Sequence, residues 1–276
     1  MDVKVLQLLR LPVTENHLDD WHELLDRVLH PEKTCRIALV GKYAGLRDAY
    51  KSIFESFAHA GIALRTKVIC DMVEAEDLEN DCSRLDGYDG VLVPGGFGSR
   101  GIEGKVATLQ YAREKGIPCL GICLGLQCMV IEFARHVLGY ADANSTEFDE
   151  KTTHPVIDLM PEQRGVSNKG GTMRLGAYPC HLVDGSRAAE LYGEKDISER
   201  HRHRFEFNND YKDALVAAGL KIGGTSPDES LVEMVELPEH PYYVGCQFHP
   251  EFKSRPFAPH PLFVGLVQAA LKHQEK

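Results

Sequence analysis

Between Ile117 and Val137 an apolar run changes its period at a single cysteine. Ile117-Pro118-Cys119-Leu120-Gly121-Ile122 is continuous and has the length of a buried strand. Beyond it, Leu126, Met129, Val130, Phe133 and Val137 recur at helical spacing. The chain therefore turns from strand to helix at Cys123, over one residue, and so sharp a turn forces unusual backbone angles there. Gly121 and Gly125 stand two positions to either side, which leaves room for the turn to pack. This is the logic of a nucleophile elbow, with sulfur in place of a hydroxyl oxygen. The turn lifts the thiol above the sheet edge, and the N-terminus of the following helix favours the thiolate. An isolated Gly-x-Cys-x-Gly is more often a structural cysteine beside helix-packing glycines, so a function has to come from its company.

That company is found far along the chain. Gly245-Cys246-Gln247-Phe248-His249-Pro250-Glu251 closes the apolar run Tyr242-Tyr243-Val244. On an extended chain, side chains two apart share a face, so His249 and Glu251 point the same way. A thiol nucleophile needs a base, and the base needs an acceptor that fixes its tautomer; His249 and Glu251 fit these roles. Pro250 between them restricts its own φ and stiffens the pair. A third fragment, Val91-Leu92-Val93-Pro94-Gly95-Gly96-Phe97-Gly98, runs from a strand into a glycine-rich turn that can offer unobstructed backbone N–H groups to an oxyanion.

Elsewhere, strand-like and helix-like segments alternate. Val13 to Leu29 holds an amphipathic helix, with Leu18, Trp21, Leu25 and Val28 on one stripe, ended by His30-Pro31. A strand is expected over 36–41, and Tyr50, Ile53, Phe54 and Phe57 mark a helix that stops at Gly61. Leu64 to Ile69 reads as a second strand, and the acidic stretch 71–87 as loop with a short helix. Strand 90–93, helix 103–115, strand 117–122 and helix 124–137 follow in strict alternation, which predicts a parallel sheet covered on both faces. From 150 to 190 the pattern breaks, with Pro161 to Gly171 an irregular loop. Later strands are expected over 179–183, 203–208, 220–224, 230–236 and 242–248, some of them antiparallel. The fold class is α/β: a single domain with one open, mostly parallel central sheet and helices on both faces.

Composition narrows the function classes. With 276 residues and 43% apolar content, the chain can bury a large core without metal or disulfide staples. Its eight cysteines (35, 70, 82, 119, 123, 128, 180, 246) include no Cys-x-x-Cys pair and no zinc-type spacing. In the absence of a signal peptide they read as free thiols in a reducing, cytoplasmic setting, and no metal site is expected. No apolar run approaches the length of a membrane span. A net charge of −10 speaks against nucleic acid as a partner. The one basic cluster, Arg200 to Arg204, is short and interleaved with histidines.

Taken together, these fragments resemble the class I, triad-type glutamine amidotransferases, and more closely the glutaminase domain of CTP synthases. The broad class rests on Pro94-Gly95-Gly96, on Gly121-Ile122-Cys123-Leu124-Gly125-Leu126-Gln127 and on His249-Pro250-Glu251. The narrower likeness rests on longer strings. They include Val40-Gly41-Lys42-Tyr43, Asp48-Ala49-Tyr50-Lys51-Ser52 and Gly95-Gly96-Phe97-Gly98-Ser99-Arg100-Gly101. Further strings are Asp142 to Phe148, Gly170 to Gly176, Arg200 to Asn208 and Phe248 to Pro256, so the resemblance covers nearly the whole chain.

Glutamine carries an α-carboxylate, an α-ammonium and a neutral amide, so a selective pocket needs a cation, an anion and an oxyanion hole. The resemblance implies Arg204 for the carboxylate, Glu147 for the ammonium, and the N–H groups of Gly96 and Leu124 for the oxyanion. Gln127 and the backbone of Leu124, Gly125 and Leu126 would line the pocket, and Thr172 and Arg174 fall in a segment that closes over it. Cys123 would pass through a γ-glutamyl thioester. The resemblance also implies a second, amidoligase domain that aminates UTP to CTP with ATP and Mg²⁺. GTP would act as allosteric activator at the domain junction, within a tetramer or filament. The chain contains no Gly-x-x-x-x-Gly-Lys-[Ser/Thr] loop, so residues 1–34 are expected to be a linker with a helix toward an absent amidoligase domain. Residues 35–276 are then the glutaminase domain. Two alternatives are a glutaminase of another amidotransferase or γ-glutamyl hydrolase, and a regulatory or assembly module with negligible isolated activity.

Overall fold

The structure is a computed structural model that describes residues 2–13, 18–42, 45–159 and 173–275. The chain opens with helices α1 (Asp2–Leu8) and α2 (Asp19–Leu29). It continues through β1 (Lys33–Gly41), α3 (Lys51–Ala63), β2 (Thr66–Glu74), β3 (Gly90–Val93), α4 (Ile102–Lys115), β4 (Cys119–Ile122) and α5 (Leu124–His136). Next come β5 (Asn144–Ser145), β6 (Pro155–Leu159), β7 (Arg174–Leu182), α6 (Arg187–Tyr192), β8 (Asp196–His203) and β9 (Phe205–Phe207). Helix α7 (Lys212–Ala217), β10 (Lys221–Thr225), β11 (Val232–Glu236), β12 (Tyr243–Cys246) and α8 (Pro261–His273) follow.

Nine strands form one sheet in the order β2-β1-β3-β4-β12-β11-β10-β7-β8. The first five pair in parallel. From β12 outward each pairing is antiparallel, so only β11 and β7 run against the rest and the sheet is mostly parallel, as expected. Successive side chains point to opposite faces of a strand. Ala38, Val40, Val91 and Val93 accordingly pack on one side with Leu109 of α4 and Leu126 and Met129 of α5. Ile37, Leu39, Leu92 and Leu120 pack on the other with Phe57 of α3 and Phe263 of α8. Strands covered on both faces read as unbroken apolar runs, and β3 and β4 are buried throughout.

Some boundaries differ from the sequence reading for clear reasons. β2 continues past Ile69 to Glu74 because it is an edge strand, where Asp71 is tolerated and pairs with Arg36 at 2.8 Å. Turns of 3₁₀ helix, Ala75–Leu78 and Ser83–Leu85, fill the rest of the acidic stretch. All of the basic cluster but Arg204 lies within β8, where Arg200 and Arg202 face outward and His201 and His203 are buried. A small second sheet, β5-β6-β9, receives the chain directly after β8, so Arg204 sits at the step from one sheet to the other. Helix α2 buries none of its residues, and Leu18, Trp21, Leu25 and Val28 are exposed. Trp21 meets Phe257 edge-on at 4.8 Å. The loop expected over Pro161 to Gly171 and the candidate residue Thr172 lie outside the described residues. Among the described residues, no helix is long and apolar enough to cross a membrane.

Candidate active site

Three fragments far apart in sequence meet because β4 lies between β3 and β12, all parallel, so their C-terminal ends share one edge. Ligand sites of open α/β sheets form at such an edge. Cys123 follows β4 with φ 53° and ψ −101°, a backbone state that costs a side-chain-bearing residue about 1–3 kcal/mol. The surroundings hold it there: its N–H donates to Cys246 O at 2.7 Å, and Gln127 N donates to its carbonyl at 3.2 Å. The flanking glycines are dictated by backbone contact. A Cβ on Gly121 would lie 2.7 Å from Gly125 C, and one on Gly125 would lie 2.2 Å from Val93 O.

His249 and Glu251 pair as expected, with His249 Nδ1 2.8 Å from Glu251 Oε1. The route differs from the extended geometry assumed from sequence. Pro250 opens a 3₁₀ turn, Pro250–Phe252, whose first position suits its fixed φ, and the turn brings Glu251 back toward the imidazole. The ring is seated by Phe252, stacked at 5.3 Å, and by Gly95, where a Cβ would come within 2.8 Å of His249 Cε1. Burial alone pulls the imidazolium pKa down. Cys123 and Glu251 more than offset this and hold it up to about 10. His249 Nε2 is buried with no partner of ordinary hydrogen-bond geometry among the described residues, yet Cys123 lies close enough to contribute to that rise.

One cavity is lined by Gly96, Phe97, Cys123, Gln127, Glu147, His203, Arg204 and Phe205. Five residues singled out from sequence (Gly96, Cys123, Gln127, Glu147 and Arg204) thus converge on it, a carboxylate and a guanidinium among them. Leu124, Gly125 and Leu126 form the first turn of α5 beneath it, all buried, and Leu124 Cδ2 lies 3.4 Å from where a Gly96 Cβ would stand. Gly98 N donates to Glu147 Oε1 at 3.1 Å, and Lys42 Nζ donates to Phe97 O, which together fix the glycine-rich turn. A larger cleft of roughly 580 Å³ borders α6 and α8, but no cysteine, serine or threonine lines it; its Glu236 accepts from the Arg187 backbone N–H, and the Arg187 guanidinium donates to His240 O.

Phe97, His203 and Phe205 were not anticipated as cavity residues. The signal for His203 was present: His201 and His203 alternate with arginines at period two, which marks an inward face. His201 Nδ1 and His203 Nε2 lie 2.9 Å apart. Burial, reinforced by Arg174, pushes both rings down, to about 2 and about 3, so they are neutral at physiological pH. Arg174 opens β7 and is buried behind His203, 2.6 Å from Glu233 and 3.5 Å from Glu206. Burial raises both carboxyls against the pull of Arg174.

A family model described as glutamine amidotransferase class-I matches residues 46–269. CTP synthase of Fibrobacter succinogenes is 59% identical, with 100% of this chain and 49% of the relative covered. CTP synthase of Caldanaerobacter subterraneus subsp. tengcongensis is 55% identical, over 98% of this chain and 51% of the relative. The chain thus spans about half the length of the curated relatives it matches. Among solved structures, the Trypanosoma brucei CTPS glutaminase domain with bound acivicin superposes with a TM-score of 0.81 at 42% identity, covering 86% of this chain and 94% of that one. A Thermotoga maritima glutamine amidotransferase shares the fold at 14% identity and a TM-score of 0.50, covering 88% of this chain and 99% of that one. With an elbow cysteine, a His-Glu pair and a glycine-rich turn meeting at one sheet edge, and a family match across most of its length, the chain belongs to the class-I glutamine amidotransferases.

Proposed function

We propose that this chain hydrolyses glutamine to glutamate and ammonia through a thioester on Cys123. The observation that carries the reading is that a strained cysteine, which interacts with a carboxylate-held histidine, lines one cavity together with Glu147 and Arg204. Arg204 binds the α-carboxylate of glutamine and Glu147 the α-ammonium, which leaves the side-chain amide directed at the sulfur. The Cys123 thiolate attacks the amide carbon, and the N–H groups of Gly96 and Leu124 receive the oxyanion. Protonated His249 gives its proton to the departing nitrogen, ammonia leaves, and the thioester remains. A raised imidazolium pKa suits this donor role. Neutral His249 then takes a proton from water, hydroxide adds to the thioester, and thiolate departs to release glutamate. Glu251 keeps the imidazole oriented throughout.

In the longer protein, this ammonia feeds the ATP- and Mg²⁺-dependent amination of UTP to CTP on an amidoligase portion, with GTP acting at the junction. Residues 1–34 form the connection, a role supported by the exposed apolar side chains of α1 and α2. The purified chain should release ammonia from glutamine, and Cys123→Ala should abolish release while keeping the fold. Equal release by both, or none from either the chain or the full-length protein with added GTP, would overturn the reading.

A further inference from the structure

Beside the nucleophile stands a side chain that the mechanism above leaves without a task. Gln247, just past β12, is fully buried, and its Nε2 lies 3.6 Å from Cys123 Sγ. The oxygen and nitrogen of a side-chain amide must be assigned from their partners. Here the partners decide. Phe205 O is a backbone carbonyl and can only accept, so Gln127, 3.0 Å away, turns its Nε2 toward it. The same Nε2 lies 3.3 Å from the Gln247 amide, which must answer with Oε1. Nε2 of Gln247 is then directed at the sulfur. Both ends are anchored on strands, since the Gln247 N–H donates to Glu233 O on β11 at 2.8 Å and Phe205 opens β9.

We infer that Gln247 is a positioning residue for Cys123, holding its sulfur with an amide donor and linking it through Gln127 to β9 beside Arg204. The inference rests on Cys123 being the nucleophile proposed above. A neutral donor favours the thiolate without adding a second cation to compete with His249 for it. The two-amide relay also means that a shift of the Phe205 carbonyl, adjacent to Arg204, reaches the sulfur without passing through His249.

The test is the rate of Cys123 alkylation by iodoacetamide as a function of pH, measured beside glutamine turnover. Gln247→Met keeps the volume and removes the donor. Gln247→Glu keeps an acceptor for Gln127 and sets an oxygen against the sulfur. Each should slow alkylation at pH 7 by about tenfold or more, the glutamate variant most, with the wild-type rate recovered as pH rises. The kcat for glutamine should fall by a similar factor, with KM within about twofold. Gln127→Met should show the same pH-dependent slowing in weaker form. An unchanged rate at pH 7 in both Gln247 variants, or a slowing equal at every pH, would overturn the assignment. If alkylation depended on Gln247 in this way while neither the wild-type chain nor the full-length protein with added GTP released ammonia from glutamine, the glutaminase reading would fall and the relay would stand.

Discussion

Gly125→Ala sets two physical effects against each other, and the structure says which wins. The residue lies in the first turn of α5, where helix propensity alone favours alanine by about 1 kcal/mol. An alanine Cβ there would stand 2.2 Å from Val93 O and 3.1 Å from Val93 C, backbone atoms of a buried central strand. Ordinary contact begins at 3.4 Å, so α5 and β3 must part by about 1 Å. Overpacking of this kind costs about 1–3 kcal/mol, and a backbone oxygen that cannot rotate away puts this case at the upper end. The net loss is about 2 kcal/mol, or a fall in Tm of roughly 4–8 °C for a chain of this size. The elbow moves with the helix, and a misplacement of about 1 Å costs roughly a hundredfold in rate. Thermal melts and ammonia release from glutamine read the two effects separately. Gly139→Ala is the control: its φ is +79° and no atom lies within 4 Å of the added Cβ, so it should lose about 1 kcal/mol and keep its activity. If Gly125→Ala melted higher than wild type and remained fully active, propensity would have won, and the close-approach account of the elbow would be refuted.

His249→Ala should lower glutamine turnover roughly a hundredfold or more, and Glu251→Gln by less, since glutamine still accepts from the imidazole; the reverse ranking in a turnover assay would exchange their roles. Arg204→Ala and Glu147→Ala should each weaken glutamine binding about ten- to hundredfold while alkylation of Cys123 by iodoacetamide stays near the wild-type rate; loss of both would make them supports of the fold. Folding raises the His249 pKa from 6.5 to about 10, so its stabilising contribution is complete below about 6.5, declines above that and is gone once pH passes about 10. In urea melts the advantage of wild type over His249→Gln should shrink from pH 7 to pH 10, and an advantage that grew with pH would show the sign to be wrong.

Much of the site was legible because its chemistry sits at the ends of apolar runs. The change of period at Cys123 marks a strand-to-helix turn whatever else the chain does, and Gly95-Gly96 and His249-Pro250-Glu251 also follow strands. What could not be read was proximity across unrelated segments. Gln247 looks like an unremarkable polar residue beside a motif, and only the pairing of β4 with β12 brings it to Gln127. Arg174 and Glu233 carry no periodic signal of their ion pair, because they meet through strands joined in the antiparallel half of the sheet. The acidic end of β2 resembles a loop in sequence because the residue that satisfies Asp71, Arg36, lies on a different strand. Element types followed from local pattern, whereas partners depended on topology.

With β4 between β3 and β12 in the middle of nine strands, sulfur, imidazole and glycine-rich turn cannot be pried apart without breaking the centre of the sheet. Central strands open only with the whole molecule, while edge strands fray at far lower cost. Amides of β3, β4 and β12 should therefore exchange with deuterium only through global unfolding, and those of β2 and β8 sooner. Loss of activity on warming should coincide with loss of tertiary structure. On the proposed mechanism, oxidation of the Cys123 sulfur would silence a stored sample that stays folded, and a reductant would restore it only if the damage stopped at the sulfenic acid or a disulfide.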